Sequence, residues 1–86
     1  MTHPPRTKTK AVRNIGREHM GRKVILSLDS TRTVRGTLRG VNRLNAAVFR
    51  ISLTDAVFSV APHVPPRATA VRVNTYRPIT IYPEGH

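Results

Sequence analysis

The chain has 86 residues, which limits it to one domain, and fifteen Lys and Arg against four Asp and Glu leave a formal charge of +11. That charge far exceeds what solubility needs and points to a polyanionic partner, nucleic acid before membrane, while the absence of cysteine excludes disulfides and thiolate sites. A domain this small buries only about 60% of the surface its unfolded chain exposes, so association with other chains would add stability.

Residues 1–9 are polar and basic, with a His-Pro-Pro run and alternating Lys and Thr, and are expected to form a flexible N-terminal extension. They lack the apolar stretch of a secretory signal. An organelle transit peptide also starts Arg-rich and acid-poor, and that alternative stays open. From Lys10 to Met20, the residues Val12, Ile15 and His19 or Met20 recur at helical spacing, and Gly21 follows as a stop. The spacing predicts a short N-terminal α-helix, weakened by Gly16. No strongly amphipathic basic helix and no apolar run of spanning length is present, so no membrane partner is expected.

From Arg22 the period changes to two. Val24, Leu26 and Leu28 alternate with Ile25, Ser27 and Asp29, the mark of a half-buried strand, and Asp29-Ser30-Thr31 makes a turn. A second strand, Thr33 to Gly40, sets Val34, Gly36, Leu38 and Gly40 on one face and Arg35, Thr37 and Arg39 on the other. Two glycines four apart inside such a strand predict sharp bends, as at the corners of small barrels. After a turn at Asn42–Asn45, a third strand runs to about Leu53, with Phe49, Ile51 and Leu53 inward. Pro62, Pro65 and Pro66 then make a stiff connector. A fourth strand spans Ala68 to Asn74, a turn follows at "TYRP", and a fifth strand spans Ile79 to Tyr82 before a short polar tail at residues 84–86. The pattern is all-β: one helix followed by five short, bent antiparallel strands whose edges need partners.

Catalytic chemistry finds little support. Glu18, Asp29, Asp55 and Glu84 lie on different predicted elements, and no GxSxG, HExxH or metal-ligand spacing occurs. The segment Gly16-Arg-Glu-His-Met-Gly21-Arg22-Lys23 approaches a phosphate-binding loop. However, Arg22 stands where the lysine belongs, Lys23 where Ser or Thr belongs, and the segment precedes a strand instead of following one. His63, between two prolines, reads as a solvated loop residue. No catalytic residue, metal or cofactor is expected.

Binding chemistry is better represented. All three lysines lie in the first quarter, and from Val24 onward every cation is arginine, which stacks on bases and forks onto phosphate. For Arg35, Arg39 and Arg50 a solvated strand face and a binding face remain equally open. Two predicted turns repeat one set of residue types: Asn42-Arg43-Leu44-Asn45 and Asn74-Thr75-Tyr76-Arg77. Amides can read a base edge and a stacking side chain adds about 1–3 kcal/mol per base, so the pair suggests one composite RNA site. Asn is also an ordinary turn residue.

On these residues the chain resembles the Sm/LSm (Sm-like) family over about Lys10 to Pro83. The segment "VILSLDSTRTVRGTLRGVNRLNAAVF" is similar to the first family motif, closest to a spliceosomal Sm D-type or LSm subunit in "VRGTLRGV", and "VNTYRPITIY" is similar to the second. It departs from the pattern where Asn42 replaces the motif's Asp and Arg43 its aromatic, where Asn74 and Thr75 replace Arg-Gly, and at Pro78, which reads as an insertion.

The resemblance implies a domain over residues 10–83: a helix-capped, strongly bent five-stranded SH3-like barrel. Its fourth and fifth strands would pair with other Sm or LSm subunits in a ring, here heteroheptameric because seven copies of so basic a chain would repel one another. The ring would hold U-rich single-stranded RNA, of the small nuclear or messenger 3′-end kind, in splicing or mRNA decay. The location would be the nucleus, with the cytoplasm second. By the same resemblance Arg43 would stack, Asn45 would bond the base, Asn74 with Arg77 would close the pocket, and Asn42 would orient the turn; Tyr76 belongs to the same expected RNA-binding set. Two other classes remain: a basic barrel of ribosomal or translational type that binds structured RNA as a monomer, and an assembly module without RNA.

Overall fold

The computed structural model describes residues 8–83. The expectations for residues 1–7 and 84–86 lie outside the described residues. The described chain is all-β, a six-stranded antiparallel sheet: β1 (Lys8–Ala11), β2 (Lys23–Ser27), β3 (Thr33–Arg43), β4 (Val48–Phe58), β5 (Arg67–Asn74) and β6 (Pro78–Ile81). The strands lie in the order β1-β6-β2-β3-β4-β5, so β1 and β5 are the two edges. The five strands expected from the sequence are β2 to β6. Among the described residues, none forms a helix long and apolar enough to cross a membrane.

The expected N-terminal helix is absent. Lys8–Ala11, divided in the sequence reading between extension and helix, is a strand paired with Ile81–Pro78 of β6, and the chain continues through two 3-10 turns, Val12–Asn14 and Arg17–His19. The apolar spacing was informative about burial: Val12 and His19 are buried and Ile15 packs on the core. A three-residue repeat serves a 3-10 turn as well as an α-helix, and the turns are separated by extended backbone at Ile15 (ψ 128°) and Gly16 (φ −126°). The Gly16 N–H donates to Nδ1 of buried His19 at 3.0 Å, which closes the second turn with a side chain.

The core draws on every strand from β2 to β6: Val24 and Leu26, Val34 and Leu38, Ile51, Leu53 and Ala56, Val73, and Ile79 with Ile81, together with Val12 from the first 3-10 turn. Truncating one of the fully buried leucines to alanine would cost about 2–5 kcal/mol. Two bulges bend the sheet. On β4, Asp55 is an extra residue relative to both neighbouring strands, since the β3 register slips between Arg35 and Thr37 and the β5 register between Leu53 and Ala56. Its backbone is left-handed (φ 54°), a conformation in which Asp is enriched over most residues. On β3 the register slips at Arg39, between Leu38 and Gly40.

That second bulge corrects the expected strand faces. Gly40 lies opposite Ser52, on the outer face, whereas Gly36 lies opposite buried Val24 on the inner one. The two glycines also differ in need. A Cβ on Gly36 would come within 3.0 Å of the Thr54 carbonyl oxygen and 3.2 Å of the Ala56 Cα, so any side chain there would push β4 away by a few tenths of an ångström. At Gly40 the nearest atoms are those of Ser52 at 3.7 Å, ordinary contact distance. The bend there comes from the Arg39 bulge.

Candidate nucleic-acid interface

The two Asn-containing turns sit side by side. Val48 at the start of β4 is paired with Asn74 at the end of β5, and the Thr75 N–H donates to the Ala47 carbonyl at 2.9 Å, joining the turn after β3 to the turn after β5. Each is closed by its own asparagine: Asn45 Oδ1 accepts the Ala47 N–H at 2.8 Å, and Asn74 Oδ1 accepts the Tyr76 N–H at 2.9 Å. With both carbonyl oxygens committed to backbone, the NH2 groups of these two exposed asparagines are left as donors. The asparagines therefore fill the ordinary turn role and leave half of each amide for a ligand.

Around them stand exposed groups of the kind that grips a base. Tyr76 is 73% exposed and Leu44 45% exposed, which leaves the tyrosine ring and the leucine side chain open to a base. Arg43 closes the end of β3 opposite Phe49, and its Nε donates to the Asn45 carbonyl at 3.4 Å. Arg77 is half-buried; its N–H donates to the Asn74 carbonyl and its carbonyl accepts the Val12 N–H. Thr75, between the exposed residues, is buried.

Asn42 does not join this group as a turn residue. It is the penultimate residue of β3, opposite Arg50, on the sheet face away from the Arg43–Phe49 pair. There it begins a cross-strand row, Asn42–Arg50–Arg72, and Arg50 and Arg72 are like charges set directly opposite each other. Among the described residues the one arginine paired with an acid is Arg32, with Asp29, so neither arginine of the row is neutralised.

Arg13 was not singled out in the sequence. The first 3-10 turn straps the second Asn turn, with Arg13 N–H donating to the Thr75 carbonyl at 3.4 Å and the Arg13 guanidinium 5.4 Å from the Tyr76 ring centroid. The cation occupies one face of the ring and leaves the group both aromatic and positive. Nothing local in "VRN" signals this role, because the residue it serves is more than sixty positions away.

Among the described residues no three His, Asp or Glu side chains gather as a metal-ligand set. Asp29 has a structural role: Oδ1 accepts the backbone N–H groups of Thr31 and Arg32, both at 2.8 Å, and Oδ2 accepts Arg32 Nε at 2.6 Å. The Thr31 backbone bond first, and then the Arg32 side chain, hold its carboxyl far below the usual carboxylate range. Comparison with known proteins returns no matching family model, curated protein or solved structure.

Proposed function

We propose that the chain is an RNA-binding Sm-like subunit, a binding protein and not an enzyme, that holds U-rich single-stranded RNA at the joined Asn45 and Asn74 turns. The hydrogen bond between Thr75 and Ala47 carries the reading. It makes one surface of two segments about thirty residues apart, each offering an amide donor, an arginine and a large exposed side chain, on a chain of charge +11. Stacking on Tyr76 with its Arg13 partner would supply base-tolerant affinity, and the amide donors would meet the carbonyl oxygens of uracil. The strand order β6-β2-β3-β4-β5 also suits the bent five-stranded barrel of that family, since its first and last strands are neighbours. On this reading the chain works beside other Sm or LSm subunits, in a splicing particle or in mRNA decay, with the nucleus its first location.

One observation favours the second reading, a basic barrel acting as a monomer. The edge of β6, the fifth of the expected strands, is taken by β1 of the same chain, so ring closure through that edge would require β1 to leave or to be the strand that pairs.

Fluorescence anisotropy with a uridine oligomer and with a duplex RNA of equal charge, on the chain alone and with candidate ring partners, separates them. The proposal expects preference for the uridine strand, and a loss of about fivefold to a hundredfold in Tyr76→Ala, the equivalent of one stacked base. Equal binding of the duplex by a monomer, unchanged in Tyr76→Ala and Arg43→Ala, would establish the second reading instead.

A further inference from the structure

The outer face of the sheet holds a second feature that the turns do not use. An open concavity of about 620 Å³ lies over β2, β3 and β4, with Lys23, Arg35, Asp55, Val57 and Tyr82 in its lining. It shares Arg35 and Val57 with a neighbouring hollow of about 360 Å³ that continues past Ile25 and Phe58. The register explains the gathering: Lys23 lies opposite Thr37, Ile25 opposite Arg35, and Arg35 opposite Val57, so these side chains share one face. Asp55 reaches the same place because it is the bulged residue.

The charges in this concavity are unusual in one respect. Two cations and a carboxylate line the same hollow, yet no ion pair joins Asp55 to Lys23 or Arg35, and Asp55 carries no hydrogen bond of its own. An acid that shares a hollow with two cations and pairs with neither leaves acceptor and donor groups both available to a ligand. A carboxylate offers two acceptor oxygens side by side. Of the four RNA bases, guanine alone sets two donors, N1–H and N2–H, side by side to meet them. Lysine and arginine bind phosphate, and Val57 gives the base an apolar wall.

The unneutralised row Asn42–Arg50–Arg72 lies on this same outer face, five residues along β4 from Asp55, or about 16 Å at the usual strand rise. It crosses the sheet from β3 to β5 and ends at Arg72, two residues before Asn74.

We propose that the concavity is a guanine-selective nucleotide site, with phosphate on Lys23 and Arg35 and the base on Asp55, entered by a single RNA strand laid along Arg50 and Arg72. The site stands on its own lining residues and does not depend on the turns.

The test follows backbone amides of the isotopically labelled full chain during titration with GMP and, separately, UMP. Saturable shifts are expected at residues 23, 35, 55 and 57, with GMP binding about tenfold tighter than UMP, the scale of a charge-assisted base contact. Asp55→Asn, which tolerates the left-handed backbone, should erase that preference and retain phosphate-driven binding. The Lys23→Ala/Arg35→Ala pair should lose both. A short RNA with one guanosine beside uridines should bind at least tenfold tighter than GMP, and Arg50→Ala/Arg72→Ala should return it toward the GMP value. Equal GMP and UMP affinities, a preference that survives Asp55→Asn, or shifts away from these residues would each overturn the site. A uridine oligomer measured in parallel on Tyr76→Ala keeps the two surfaces separable. Loss of uridine binding with intact GMP shifts touches only the turns, and the reverse result touches only the concavity.

Discussion

Gly36 and Gly40 are the same residue four positions apart, and the physics separates them by which atoms a methyl group would meet. At Gly36 the obstacles are the Thr54 carbonyl oxygen and the Ala56 Cα, main-chain atoms that move only if β4 moves. Gly36→Ala is therefore expected to cost about 1–3 kcal/mol, read as a fall in melting temperature of at least about 5 °C. Gly40→Ala meets only the side chain of Ser52 at 3.7 Å and should be neutral or stabilising by up to about 1 kcal/mol, because alanine narrows the unfolded ensemble. Equal losses at the two sites would show that Gly40 also bends the strand. Asp29 gives a second measurable residue effect. Its carboxyl titrates well below its ordinary value of 3.8 because the folded turn donates three hydrogen bonds from Thr31 and Arg32 to the charged form, and a fourth from the Thr31 hydroxyl. A depressed folded pKa means stability that is complete above the unfolded value and drains away as pH falls below it. The melting temperature should thus decline as pH drops below about 4, and Asp29→Asn should lie lower at neutral pH and decline less steeply; parallel curves would refute the linkage.

At the level of elements, what the sequence made legible follows the period of its side chains. Strands β2 and β5 alternate strictly enough to be read directly, and Pro62, Pro65 and Pro66 mark the connector, whereas β3 slips at Arg39 and runs three residues beyond the expected Gly40. β4 runs five residues beyond the expected Leu53 because its alternation is interrupted by Asp55; once the bulge is allowed, Ala56 falls back into the core. β1 was invisible for a different reason. "KTKA" has no large apolar residue and no alternation to set a face, and it is a strand only because β6 offers it an unpaired edge, a tertiary cause that no local pattern encodes. Asn45 and Asn74 were legible as turn residues because asparagine has a local reason to sit there, whereas Asn42, read as part of the first turn, lies in β3. Arg13 was not legible, because its reason is remote. The position of β1 also carries a prediction. If it shields the edge that a second chain would otherwise pair with, then removing residues 1–10 should convert a monomer into species whose mass, by light scattering, rises with concentration. A truncated chain that remains monomeric across the range would mean that β6 has no affinity for another strand, and that the ring reading must use a different edge.

For the molecule as a whole, the charge is a cost that folding alone does not recover. Arg50 faces Arg72 across β4 and β5, and among the described residues no acid pairs with either, an arrangement that destabilises a sheet by roughly 0.2–1 kcal/mol relative to neutral residues. A fold that only needed to be stable would gain by losing one of them, whereas a fold that binds a polyanion recovers the cost when phosphates replace the absent acids. Stability and binding should therefore move in opposite directions on one pair of substitutions. Arg50→Ala/Arg72→Ala is expected to raise the melting temperature of the free chain by a few degrees, about the shift that relief of the repulsion corresponds to in a domain of this size. The same variant should bind single-stranded RNA more weakly and with less salt dependence. Each phosphate contact removed takes about 0.7 from the slope of log affinity against log salt, so the pair should flatten it by about 1.4. A variant that is more stable with an unchanged slope would mark the row as a solvated strand face. One that is less stable would show that the arginine stems support the sheet more than their charges oppose it.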